Sequence, residues 1–466
     1  MKKSIIVLIL ISIASVLFSC SDELINEKTD GDLTNEVSPY LKALKKLHRS
    51  GNITGHLATR GNQDIQGVIP LCYGDTASVN PGTDIGYVDP DTWATTGNDS
   101  IYAYIFDFSN EEGFAVVSTE DWLPDILMYS HDGNFMKYKE PKDSTTLMDQ
   151  TIKEFEAYVL QTQSEFKKML AKAVKQFKDI RAWELEKIKE EGVDLGTGAY
   201  TIPHLTKSIL VDSTLDTFGG KFGLCKVNWN EGSAYSELLT SGQGRCWPIV
   251  PLVAKYLSIR QFSNQYKDLT LNWSKWTYFR NIERLDFQSK LDIKKLFYYL
   301  GDSDNLRYLN NGVKMPATAF DRIPQTLHNF GLTTTCTVDT GMGFVEQVIF
   351  DNGDYQRPTL LQYEIKTGND TYVRQAIIDG QKIITRKFQC SYSNSTEQVK
   401  YCYQYFYHFN YGRDEMNING YFNWGIFCPT VFREALPAMN PFYAPIPQIN
   451  TNVRHLKVIN TGEIDY

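Results

Sequence analysis

The segment SGQGRCWPIVPLVAKYL, residues 241–257, gives one cysteine the setting that a nucleophile needs. Cys246 follows a Gly-rich stretch and precedes an apolar run with helical spacing. At a helix start, unpaired backbone N–H groups and the positive end of the dipole favour the thiolate. Pro248 and Pro251 fall in the first turn, where proline is tolerated because those N–H groups lack intrahelical partners. Ile249, Val250, Leu252, Val253, Tyr256 and Leu257 then supply a buried face. A thiolate so placed attacks a carbonyl when a base shuttles its proton and donors hold the oxyanion. A buried structural cysteine in a helix has the same local pattern.

The histidines that could serve as base are few. His328 lies in IPQTLHNFGL, read as an apolar helix ending at Gly331, and is expected to be a packing residue. His408 precedes Asn410 by two positions, so on a strand both face the same way, roughly 7 Å apart along the chain. No histidine stands between His328 and His408. No two cysteines or histidines have finger spacing, so neither a zinc site nor any other cofactor is expected.

Several elements must position these groups. With 466 residues, 42% apolar and 13% aromatic, the chain can bury two or three cores. Its net charge of −8 contains no basic block, which argues against a nucleic-acid partner. Lys2 and Lys3, an apolar run too short to span a bilayer, and the box LFSC ending at Cys20 form a processing signal over residues 1–20. This signal resembles that of bacterial lipoproteins, which implies export and a lipid carried on Cys20. Ser21 directly after the cysteine implies outer-membrane sorting, on the periplasmic face or the cell surface.

Residues 37–48 read as an amphipathic helix. Tyr102, Tyr104, Phe106 and Phe108 alternate on a strand that turns at 110–113 into a second strand at 114–118. Residues 21–145 are therefore expected to be a small α+β domain. Residues 146–199 hold a long amphipathic helix, with apolar positions from Met148 to Ile180, and the linker EEGVDLGTG. A larger aromatic-rich domain occupies 200–466, in which YCYQYFYHFNYG at 401–412 reads as a buried strand. Cys390 and Cys402 flank a polar loop and are candidates for a hairpin disulfide in an oxidising compartment.

The segment VNWNEGSAYSELLTSGQGRCWPIVPLVAKYL resembles the nucleophile region of the streptopain family of papain-like cysteine peptidases, through Trp229, Gly232, Tyr235 and Cys246. TYVRQAIIDG resembles the family's His-Ala-Trp-Val-x-Asp-Gly segment, and YHFNYGRDEMNINGYF its His-x-Asn-Trp-Gly-Trp-Gly-Gly segment. GFAVVSTEDWLPDILMYSHDGNF is similar to the family's propeptide, a fold that also occurs as a stand-alone inhibitor. The resemblance implies an α+β protein: a small propeptide-like domain, then a papain-like domain with a helical part and an antiparallel sheet. It places the nucleophile at Cys246 and the orienting asparagine at Asn410. The histidine position falls on Arg374, the oxyanion glutamine on Glu231, and the tryptophan beside the asparagine on Tyr411.

These replacements matter chemically. A guanidinium, with a pKa above about 12, cannot accept a proton from the thiol and return it to the leaving amine. An ionised Glu231 is acceptor-only and puts negative charge where negative charge must develop. Opposite charges at the two positions suggest a Glu231–Arg374 salt bridge. The expectation is an exported, lipid-anchored pseudopeptidase that binds peptide or protein segments, or its own N-terminal domain. Two alternatives stand beside it: a working cysteine endopeptidase with an unconventional base such as His408, and a surface inhibitor or adhesion module.

Overall fold

Long runs of β-branched and aromatic residues build one large sheet, and short apolar helices cover it. The computed structural model describes residues 38–50, 65–72, 101–109, 112–131, 133–135, 165–182, 205–219, 223–230, 249–280, 282–307, 319–367, 370–392, 397–412, 419–428 and 453–462. Cys20, Glu231 and Cys246 lie outside the described residues, and so does the processing signal.

Among the described residues, thirteen strands occur. They are β1 (Ile65–Cys72), β2 (Ile101–Phe108), β3 (Phe114–Ser118), β4 (Ile126–Ser130), β5 (Leu205–Phe218), β6 (Gln265–Tyr266), β7 (Leu269–Thr270), β8 (Thr337–Thr340), β9 (Thr359–Thr367), β10 (Asp370–Tyr392), β11 (Glu397–Asn410), β12 (Gly420–Asn423) and β13 (Val453–Asn460). The helices are α1 (Pro39–Arg49), α2 (165–182), α3 (Ile249–Arg260), α4 (Trp273–Phe279), α5 (Phe287–Gly301), α6 (Ile323–Asn329) and α7 (Met342–Asp354). The main sheet runs β1-β2-β3-β4-β12-β11-β10-β9-β13-β8, with β5 added along the second half of β10, and every named pair is antiparallel. The fold is thus mixed helix and sheet, as an α+β reading expects.

Strand alternation divides the core. On β11, Phe406, His408 and Asn410 share one face, and Tyr407, Phe409 and Tyr411 the other. The first face packs on α1 at one end and on α3 to α5 at the other. The second face packs on α2, through Phe166, Met169, Val174 and Phe177, and on α7.

The sheet crosses the boundary drawn between 21–145 and 200–466, because β4 pairs with β12 at Tyr129↔Tyr421 and Met128↔Phe422. The Tyr129 and Tyr421 rings stack with centroids 5.2 Å apart, and the Lys382 ammonium lies 4.9 and 4.5 Å from those centroids. A cation on the faces of two buried rings adds electrostatic attraction to the strand pairing. At the outer end of this region, Arg49 of α1 grips Asp125 bidentately, at 3.1 and 2.8 Å.

Local expectations meet the structure in detail. The helix read at 37–48 is α1, capped by Ser38, whose hydroxyl accepts from the Leu41 N–H at 3.3 Å. The hairpin is β2–β3. Tyr104, Phe106 and Phe108 pack together against α1, but Tyr102 joins the opposite cluster, beside the register shift at Leu71/Cys72. Of the long helix placed at 146–190, the described part is α2. The 401–412 strand is buried on both faces only in its second half: Tyr401 is 51% exposed and Tyr403 37%, while Cys402 and Gln404 on the other face are buried.

The hairpin disulfide does not form. Cys390 stands opposite Gln398 and Cys402 opposite Arg386, four residues apart along the ladder, and both thiols are free. Burial pushes the Cys402 thiol up to about 11 and raises that of Cys390. A thiolate is the alkylated species. At pH 8 the native protein should therefore protect both cysteines from iodoacetamide, and denaturant should expose them. Rapid native labelling of either peptide by mass spectrometry would contradict this arrangement.

Candidate active-site region

Asn410 closes β11, and the turn after it is shaped by Gly412, whose φ of 77° lies in the left-handed region that suits glycine. The Asn410 side-chain carbonyl accepts from the Gly412 N–H at 2.9 Å and from the Lys255 ammonium at 3.4 Å. Lys255 comes from α3, the helix that begins three residues after Cys246, and it is fully buried. Its role was not foreseen from sequence, although a lone charge in PLVAKYL is a visible signal. Tyr411 faces the other side, where its hydroxyl bonds that of Tyr363 at 2.8 Å.

Arg374 lies on β10 opposite Tyr363 of β9. Ile377 pairs with Asn410, so alternation puts Arg374, with Ala376 and Ile378, on the face away from Asn410 and α3. There its guanidinium forms a very short ion pair with Glu165 of α2, and both side chains are nearly buried, at 11% and 4% exposure. Phe166, Met169, Tyr363, Ile365 and Tyr411 close around the pair and leave a gap of only about 10 Å³. The described partner of Arg374 is Glu165, and the anticipated Glu231 lies outside the described residues. Sequence offered no means of picking Glu165 from the many acidic residues near it.

His408 has a different environment. Its Nδ1 meets Asp379 Oδ1 at 2.6 Å. The fully buried Asp379 also accepts from the Cys225 N–H at 3.0 Å, and its backbone carbonyl accepts from the Leu224 N–H at 2.7 Å. Tyr421 packs edge-on against the imidazole at 5.0 Å. The 223–225 segment can approach this closely only because Gly223 has φ 80° and no Cβ; one added there would lie 2.4 Å from Asp379 Oδ1. Gly223→Ala should thus cost at least about 1–2 kcal/mol, from the left-handed backbone and the clash together. Chemical denaturation would measure it, and an unchanged midpoint would disprove the packing.

His328 departs from its expected packing role. It is exposed at the end of α6, with Nδ1 2.9 Å from the Leu332 carbonyl. The apolar pattern around it buries Ile323 and Leu327 instead. Among the described residues, no group of three or more His, Cys, Asp or Glu could hold a metal ion.

Comparison with known proteins adds the following. Residues 75–155 match the family model described as Spi protease inhibitor, a span that contains β2, β3 and β4. Among solved structures, the chain is similar to the active wild-type interpain A cysteine protease of Prevotella intermedia. The identity is 12%, the match covers 51% of this chain and 93% of that one, and the TM-score is 0.32. No curated protein matches the chain. Residues 75–155 are thus related to a protease-inhibitor domain.

Proposed function

We propose that this chain is an exported, lipid-anchored pseudopeptidase of streptopain type, which holds peptide segments or its own N-terminal domain without cleaving them. The observation that carries this reading is the buried Arg374–Glu165 pair. The resemblance assigns the histidine to position 374, yet β10 presents no histidine toward Asn410: Arg374 is a permanently charged guanidinium fastened to Glu165 on the opposite face. Such a group cannot exchange protons at neutral pH. Pairing of β4 with β12 supports retention of the N-terminal region on the chain's own sheet. Hydrolysis of casein and of a fluorogenic peptide library by the full chain, compared with Cys246→Ala, tests the catalytic half. Metabolic labelling with palmitate, lost in Cys20→Ala, tests the anchor.

The enzyme reading draws on one feature. Asp379 holds His408 through Nδ1, as a carboxylate orients the base of a catalytic triad, on the same sheet face as Asn410. Activity lost in both Cys246→Ala and His408→Ala would favour it. The inhibitor reading draws on the family match at 75–155. Inhibition of a streptopain-type peptidase by the full-length Cys246→Ala protein would support that reading.

A further inference from the structure

The geometry points to a second site that uses none of the residues described around Asn410: a cleft that binds a small hydrophilic oxyanion, either a carboxylate or a phosphate or sulfate group. The cleft opens between the 302–307 loop and α6 and measures about 470 Å³, with Tyr266, Asp304, Arg307, Arg322, Gln325 and Asn329 in its walls. A volume of this size suits a metabolite-sized ligand.

The charges are arranged for an anion. Arg322 donates Nε to the Asn305 carbonyl and Nη2 to the Ser303 and Asp304 carbonyls, at 3.0 and 3.3 Å. Arg307 donates Nε to the Ser303 carbonyl at 3.2 Å. These bonds aim both guanidiniums without using all their N–H groups, and among the described residues neither arginine forms an ion pair. Partial burial and the neighbouring Arg307 charge disfavour the Arg322 guanidinium, Asp302 and Asp304 offset this in part, and an oxyanion between the two arginines would add forked, charge-assisted hydrogen bonds. The nearby carboxylates are already engaged, since Lys267 binds Asp302 at 2.9 Å and Asp304 at 3.0 Å.

The walls are also pre-organised. Asn305 is fully buried and donates to the Tyr266 hydroxyl, the Tyr299 carbonyl and Asp302 Oδ1, at 3.0, 2.6 and 3.1 Å. Its side-chain Oδ1 accepts from the Asn329 amide at 3.0 Å, which ties the loop to α6. Arg307 closes the turn with φ 55° and an N–H bond to the Asp302 carbonyl at 2.9 Å. A rigid frame of this kind lowers the entropy lost on binding.

Isothermal titration of the full chain with inorganic phosphate, sulfate and acetate, each at one ionic strength set with NaCl, tests the proposal and separates the ligand chemistries. The expected result is saturable binding of at least one anion, weakened tenfold or more in Arg307→Gln and tightened in Asp304→Asn. Arg307→Gln should fold normally, because the exposed side chain makes a single hydrogen bond. If it does not, Arg307→Lys, which keeps the charge and loses the fork, should still show weaker binding. Absence of saturable binding above the NaCl control, or unaltered affinity in the Arg307 variants, would overturn the assignment.

Discussion

Casein and peptide hydrolysis by the full-length protein should be indistinguishable from that of Cys246→Ala. On the proposed correspondence the histidine position holds Arg374, and loss of the histidine from a comparable catalytic set lowers turnover by about 10⁶. The same correspondence puts Glu231 at the oxyanion position, where loss of one donor costs a further factor of about 10² to 10³. Effects within one catalytic unit do not add, so the first figure already places activity at background. Arg374→His should not restore turnover. Its imidazole would project from the β10 face that carries Ala376 and Ile378, against α2, while Asn410 and α3 occupy the opposite face. Native activity abolished in Cys246→Ala would refute the pseudopeptidase reading and direct attention to His408. A gain in Arg374→His would refute the face assignment.

Arg374→Met should destabilise the fold by about 3–5 kcal/mol, because it removes the Arg374 charge from the Glu165 carboxylate buried beside Phe166 and Met169. The double variant Glu165→Met/Arg374→Met should recover most of that loss, since two apolar side chains of similar length refill the space and no charge remains to be desolvated. Urea denaturation of the two single variants and the double variant gives the coupling directly. A double variant as unstable as the sum of the singles would show that the pair is not coupled. The expected pattern also has a structural consequence: the single variants should loosen α2 from the sheet, read as faster hydrogen exchange in 165–182.

Much of the architecture was legible before any coordinates. The 3.6-residue spacing of VSPYLKALKKLH announced α1, and the alternation of Tyr102, Tyr104, Phe106 and Phe108 announced the β2–β3 hairpin, although Tyr102 joins the other cluster. Both are local signals, since backbone geometry converts periodicity into a face. The chemical unfitness of a guanidinium for proton transfer was likewise readable from residue type alone. Pairings between distant residues were not. Glu165 reaches Arg374 across 209 positions, Lys255 reaches Asn410 across 155, and Asp379 gathers His408 and the Cys225 N–H.

What sequence alone determined is therefore the identity of the groups and the faces they occupy along each element. Tertiary structure decided their partners. It joined β4 to β12 and made one sheet of what reads as separate regions, it kept Cys390 and Cys402 apart through the ladder register, and it sent Arg374 and Asn410 to opposite sides. The physical reason is that a side chain's direction follows from its own strand. Its electrostatic and hydrogen-bond environment depends on which distant surfaces the packing of helices against that strand brings near.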